Sequence, residues 1–321
     1  MAAPAAFPPP RRRRALVIHN PTAGGRRRAV LAEVVEALRR RGVTVDIQPT
    51  AGPGDATTLA AAASRARHDV VCAAGGDGTI NEVANGLLRA DDPPPLAVIP
   101  LGTANVLAIE LGLPAAPDAL AALIADGGEA AVHPAVADDR AFLLMAGAGF
   151  DAAVVHGVRR PVKRLLGKGA YVLQTLIETL RYRFPPLTVR ADGRELTARM
   201  VVACKGRHYG GPYVAAPEAR LGAGSVQLCL FHGGGVVAQA RYGLALLRGR
   251  VATLSDVTVI EAREVTITAP AATAPVPVQV DGDAEAALPL HITMAARPLA
   301  VISPQAAPVT APCPAPTVAA A

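Results

Sequence analysis

The run Gly75-Gly76-Asp77-Gly78-Thr79-Ile80-Asn81-Glu82 sets three glycines around one aspartate. A backbone without side chains folds closely around phosphate oxygens, while the lone carboxylate stays available. That carboxylate can face a magnesium ion held by a nucleotide, or accept a proton from an attacking hydroxyl. A plain turn accounts for one Gly-Asp-Gly but not for the continuation through Val83-Ala84-Asn85-Gly86. Two weaker segments share the pattern: Asn20-Pro21-Thr22-Ala23-Gly24-Gly25-Arg26 and Pro100-Leu101-Gly102-Thr103-Ala104-Asn105. Each puts glycine, and the second a hydroxyl, where a helix begins, so each alone reads as well as a turn or a helix cap. There is no Gly-Lys-Ser/Thr loop and no complete G-x-G-x-x-G, so this phosphate cradle is not one of the commoner kinds.

Loops of this kind need strands that end where they begin. The pattern predicts strands at 15–19, 43–48, 70–74 and 96–99, alternating with helices at 27–41, 55–67, 81–88 and 105–111. Val30, Leu31, Val34, Val35 and Leu38 share one helix face, as expected of a helix that covers a sheet. Such alternation predicts a parallel sheet with ligands at the carboxyl ends of its strands. Beyond residue 130 the texture changes to short β-branched runs separated by Gly, Pro or Asp, with helical stretches at 168–182 and 236–247. The expected fold is α/β in two domains. A Rossmann-like nucleotide-binding domain spans 15–130, a β-rich domain spans 131–302, and 1–14 and 303–321 read as disordered tails.

Composition narrows the function. The net charge is +6, of which Arg11, Arg12, Arg13 and Arg14 carry four, leaving a near-neutral body with five Tyr, five Phe and no Trp. Nucleic-acid binding is disfavoured, because both the basic face and the stacking platforms are missing. The four cysteines have no paired spacing, which predicts neither disulfides nor a zinc site and fits a reducing, cytoplasmic setting. No run of 18 apolar residues predicts a membrane span, and the arginine run is a candidate contact with an anionic leaflet.

Taken together these segments resemble the catalytic domain of the diacylglycerol kinase family, which includes sphingosine and bacterial lipid kinases. Besides the three loops, Gly147-Ala148-Gly149-Phe150-Asp151 looks like the family's Gly-Phe-Asp signature, Tyr209-Gly210-Gly211 like its Gly-Gly hairpin, and Asp281-Gly282-Asp283 like its Asp-Gly-Glu. The resemblance implies a nucleotide-binding α/β domain followed by a β-sandwich-like domain. It further implies ATP in the cleft between them, magnesium, and a lipid alcohol as phosphoryl acceptor. It places Asn20, Thr50, Gly75, Gly76, Asp77, Gly78, Thr79, Ile80, Asn81, Glu82, Gly102 and Thr103 at ATP. Asp77 would hold nucleotide-bound magnesium, and Asp283 would take the position of the catalytic carboxylate. Peripheral membrane contact is expected, and a homodimer is left open.

The chain departs from the pattern in four places. Asp283 is one methylene shorter than Glu. Val106 stands where an Asp is frequent, and Lys205-Gly206 stands for Asn-Gly. Gly222-Ala223-Gly224 replaces a turn whose Asp helps hold a structural magnesium in bacterial members, so no metal is expected there. Asp151 reads equally as a cleft residue or a turn cap, and Lys163, Arg164 and Lys168 as a phosphate contact or a solvated helix face. Two rivals compete with a lipid kinase: phosphorylation of a soluble acceptor such as NAD, and a catalytically silent nucleotide- or lipid-binding protein.

Overall fold

The first sheet has six strands in the order Thr44–Pro49, Arg14–His19, Val70–Gly75, Leu96–Pro100, Leu299–Ile302, Glu129–Val132. The first four run parallel. The central strand Val70–Gly75 is buried at every residue, which explains its unbroken apolar sequence. This computed structural model describes residues 11–21, 25–158, 169–271 and 274–304. Helices α1 (Gly25–Arg40), α2 (Asp55–Ala61), α3 (Asp77–Arg89), α4 (Val106–Leu111) and α5 (Pro117–Asp126) complete the first domain. Strand alternation sorts the faces: Ala15 and Val17 pack with Val34, Leu38, Leu120 and Ile124 of α1 and α5. Leu16 and Ile18 pack with Ala56, Ile80, Val83 and Leu87 of α2 and α3.

Four boundaries differ from expectation, the simplest being the helix expected over 55–67, which ends at Ala61. The helix after the glycine run starts at Asp77 rather than near Asn81, because Gly76 is an extended N-cap and Asp77 supplies negative charge to the first turn. The four arginines are not a tail: the Arg12 side chain is buried and donates to the Gly127 carbonyl at 2.7 Å and to Glu129 at 2.8 Å. Arg14 opens the first strand and pairs with Asp69. A buried guanidinium persists where its donors are matched, as here by carbonyls and a carboxylate. Finally, Leu299–Ile302, expected in the second domain, returns to the first sheet beside Leu96–Pro100, and Ser303 is held by the Gly128 carbonyl. The two expected tails otherwise lie outside the described residues.

The second domain is a sandwich. One sheet has the order Arg194–Ala198, Leu187–Ala191, Val265–Thr268, Leu290–Met294, Ala135–Ala137, Arg140–Phe142. The other has the order Val257–Ala262, Val226–Phe231, Met200–Cys204, Met145–Gly149, Pro277–Val280, Asp283–Ala287. Between them Ala146, Ala148, Val201, Leu228, Leu230 and Val280 meet Leu187, Val189, Ile267 and Ile292. The opposite face of the second sheet, through Met145, Met200, Val202, Cys204 and Phe231, belongs to the same core as Leu107 and Ile80 of the first domain. Helices α6 (Phe150–Gly157), α7 (Gly169–Arg181) and α8 (Gly235–Leu247) lie on this outer side, where Phe150 stacks on Phe184 and Tyr182 meets both rings edge to face.

Candidate functional site

The glycine loop follows the central strand, and the first turn of α3 aims its N–H groups out of the carboxyl edge of the sheet. Gly76 and Gly102 touch backbone to backbone: a methyl built on Gly102 would lie 2.6 Å from the Gly76 Cα. Only glycine permits this approach, which brings the loop carrying Thr103 beside the loop carrying Asp77. Asp77 is half-buried, and its Oδ1 accepts the Leu107 N–H at 3.2 Å, fixing the start of α4. Its Oδ2 has no hydrogen-bond partner among the described residues. Thr103 is exposed and accepts from Arg27 at 3.0 Å.

Beside this edge, His19, Asn20, Pro21, Arg27, Arg28, Leu31 and Leu101 line a cavity of about 380 Å³. Burial first, then the Arg28 charge, lowers the His19 pKa below the ordinary imidazole value, and the Arg27 and Arg28 guanidiniums on the cavity wall favour an anion. Thr50 is half-buried at the end of its strand and donates its N–H to the His19 carbonyl. Thr22 to Gly24 lie outside the described residues, as do Lys163, Arg164 and Lys168.

The second domain contributes through a two-residue turn. Asp281 and Gly282 both have positive φ, 49° and 82°, the conformation for which Asp-Gly is favoured in tight hairpins. The turn joins Pro277–Val280 to Asp283–Ala287, so Asp283 is the first residue of the returning strand. Its carboxylate is half-exposed and faces the glycine loop; a methyl built on Gly78 would lie 3.6 Å from Asp283 Oδ2. Arg140 holds it at 2.7 Å, also pairs with Glu285, and donates to Asn81 Oδ1 from both Nε and Nη2 at 3.1 Å. Burial works against the Arg140 charge, yet Asp283 and Glu285 raise its pKa above the ordinary guanidinium value.

The two aspartates of Asp281-Gly282-Asp283 have opposite environments. Asp281 is buried and accepts the N–H groups of Leu143, Leu144 and Met145, each at 2.9 Å, and Asn81 Nδ2 at 2.8 Å. Burial pushes its carboxyl up, against those four donors. Asn81 also donates to the Ala141 carbonyl, and Asn85 exchanges two hydrogen bonds with the Ala141 backbone. Thus the run after the glycines docks the second domain onto α3.

This docking turns three side chains of the expected ATP set away from the open edge. Ile80 lies in the core and Asn81, 1% exposed, has its amide committed to the domain seam, because both follow Asp77 at positions where α3 turns inward. Glu82 reaches α2 instead, accepting the Gly54 N–H at 3.1 Å. Gly75, Gly76, Asp77, Gly78, Thr79, Gly102 and Thr103 share one edge with Asn20 and Thr50, and Asp283 faces it.

Sequence reasoning missed Arg27, Arg140 and Glu285, which carry no motif. A further chain supports the turn from behind. Gln279 Oε1 accepts the Gly282 N–H at 2.8 Å, Gln279 Nε2 donates to Asp151 at 2.9 Å, and the Tyr209 hydroxyl donates to the same carboxyl. Asp151 is buried with both carboxyl oxygens engaged by Gln279 and Tyr209, so it supports the turn rather than facing the cleft, and burial pushes its pKa up to about 6. Near the altered turn, the buried Lys205 ammonium donates to the Ala223 and Ser225 carbonyls at 2.6 and 2.9 Å, and burial lowers its pKa to about 8.

A profile of the diacylglycerol kinase catalytic domain matches residues 14–136, and one of the YegS C-terminal NAD kinase beta sandwich-like domain matches 145–303. The chain is 34% identical over 215 residues to "Probable lipid kinase YegS-like" of Chromohalobacter salexigens, covering 63% of this chain and 67% of that one. It is 31% identical over 212 residues to "Probable lipid kinase YegS" of Escherichia coli O127:H6, covering 64% and 71%. A crystal structure of a diacylglycerol kinase from Bacillus anthracis str. Sterne shares the fold, with a TM-score of 0.69 at 23% identity over 91% of this chain and 97% of the other.

Proposed function

We propose, from the premise that this chain belongs to the diacylglycerol kinase catalytic-domain family and is a lipid kinase, that it moves the γ-phosphoryl group of ATP to the hydroxyl of diacylglycerol or a similar long-chain lipid alcohol. One observation carries the reading: a carboxylate from the second domain, Asp283, faces the glycine loop of the first across the seam.

In this reading the N–H groups at the start of α3 and the Thr103 hydroxyl bind phosphate oxygens, and Arg27 and Arg28 balance their charge. A divalent ion, taken as magnesium, would neutralise charge on the transferring phosphoryl group. The residues suit an ion that arrives with the nucleotide. Asp77 offers one oxygen while the other is engaged by Leu107, and no group of three or more His, Cys, Asp or Glu among the described residues could hold a metal alone. Asp283 accepts the proton of the lipid hydroxyl as that oxygen bonds to the γ-phosphorus, and the bond to the β-phosphate oxygen breaks to release ADP. Arg140 sets the carboxylate's direction, and the shorter Asp makes that direction matter more. Phosphoryl transfer is served mainly by such positioning and charge.

Incubation with labelled ATP, magnesium and a panel of diacylglycerol, monoacylglycerol, sphingosine and NAD tests this. Label in a lipid is the expected result. Label in NAD alone, or in no acceptor from a folded sample, overturns it.

A further inference from the structure

Helix α8 is apolar on two sides. Ala238, Tyr242 and Ala245 are buried in the core, as a helix covering a sheet requires. Yet Val237 is 83% exposed, Leu247 63%, Val236 50% and Leu244 48%, on the side where a globular protein normally places polar residues. Helix α7, which packs against α8, adds Leu176 and Leu180 at 61% and 78%. Large apolar side chains gathered in this way mark a binding surface.

Charge identifies the occupant. Glu178 is the single acidic residue on either helix, whereas Arg181, Arg183, Arg241, Arg248 and Arg250 are all exposed on or just beyond them. Arg241 pairs with Asp256; the other four have no carboxylate partner among the described residues. An apolar centre with a guanidinium rim matches a bilayer of anionic lipids, which gains from both acyl burial and phosphate contact. A second copy of the chain fits poorly, because a two-fold contact would set this positive rim against itself. The face also adjoins the cleft: strand Tyr213–Val214 packs on α8, and its hairpin partner His208–Tyr209 packs on α4.

We propose that the outer face of α7 and α8 seats the protein on an anionic bilayer, with Val237, Leu244 and Leu247 entering the acyl boundary and Arg248 and Arg250 meeting lipid phosphates. This rests on the lipid-kinase reading only for its purpose, which is to bring the cleft to an acceptor that resides in a membrane.

Vesicle pelleting tests it, using phosphatidylcholine with about one-third phosphatidylglycerol against phosphatidylcholine alone. The triple variant Val237→Gln, Leu244→Gln, Leu247→Gln is expected to lose about tenfold or more of its partition. The pair Arg248→Gln, Arg250→Gln is expected to lose about thirtyfold on the mixed vesicles and little on the neutral ones. With both variants, phosphorylation of a short-chain, water-soluble diacylglycerol stays at the wild-type rate while phosphorylation of vesicle-embedded diacylglycerol falls. Vesicle binding of both variants at the wild-type level overturns the proposal. So does a triple variant that alters only the oligomeric mass in light scattering. Vesicle binding lost in the variants, with no lipid phosphorylated by the wild type, supports the docking face and counts against the kinase reading.

Discussion

The carboxyl edge of the first sheet and the seam that joins it to the second domain are built from different material. At the edge, backbone does the work: Gly76 lies against Gly102, the first turn of α3 supplies donors, and side chains contribute a few charges. At the seam, buried side chains do it: Asn81, Asn85, Asp281 and Arg140 satisfy one another and the backbone of 140–145. A backbone cradle is specified by a short local run of residues, whereas a buried polar network is specified only by partners far apart in the chain. On the proposed function the two are therefore expected to differ in what substitutions cost: chemistry at the edge, stability at the seam.

Asp281 and Asp283, two positions apart, test that contrast most sharply. Replacing Asp283 with Asn is expected to lower kcat by about 10²–10⁴, the usual range for losing a general base, with a thermal midpoint close to wild type because the side chain is half-exposed. Equal loss of kcat and kcat/KM in steady-state kinetics would place the effect in the transition state. A wild-type rate would remove Asp283 from the reaction altogether.

Replacing Asp281 with Asn is expected to do the reverse. Three backbone donors that the carboxylate accepts would meet an amide with one acceptor oxygen, at roughly 3–5 kcal/mol in urea unfolding. A stable Asp281→Asn protein with no activity would erase the distinction between seam and edge.

How much was legible follows from the same contrast. The loops at Gly75–Thr79 and Pro100–Asn105 stand in the sequence because glycine spacing alone fixes a close backbone approach, and the parallel sheet stands there because Val70–Gly75 is apolar throughout. The committed amide of Asn81 was invisible, since its partner Asp281 lies 200 residues away. Arg12 was misread for a similar reason: four consecutive arginines look like a solvated tail until Gly127 and Glu129 arrive to receive one of them. The return of Leu299–Ile302 to the first sheet has no local signal either, because a short apolar strand fits any sheet that buries it.

The support behind the Asp281-Gly282 turn makes a pH prediction. The Asp151 carboxyl rises from the ordinary 3.8 to about 6 in the fold, so between these values the folded state holds more protons than the unfolded one. Its contribution to stability is therefore greatest at or below pH 4, falls as pH rises through 6, and is then constant. Asp151→Asn should be more stable than wild type above pH 6 relative to pH 4 by roughly 3 kcal/mol, provided the amide keeps the Gln279 contact. Urea midpoints of both proteins from pH 4 to 7 measure this; parallel curves would show that Asp151 does not titrate in that window.

The smallest expected stability change separates the two regions from the other side. Gly78 is in the first turn of α3 with no positive φ, and a methyl there would touch only the Asp283 carboxylate at ordinary van der Waals distance. Gly78→Ala should therefore raise stability by about 0.5 kcal/mol, since the unfolded chain loses freedom and the folded one loses nothing. On the proposed mechanism the same methyl narrows the gap between loop and carboxylate through which the phosphoryl group would pass, so transfer should slow even as the protein becomes harder to unfold. Gly102→Ala, whose methyl would press on the Gly76 Cα at 2.6 Å, should instead lose both stability and activity. If Gly78→Ala keeps the wild-type rate, the gap between Gly78 and Asp283 is not where the phosphoryl group passes, and the seam alone explains why the two domains meet there.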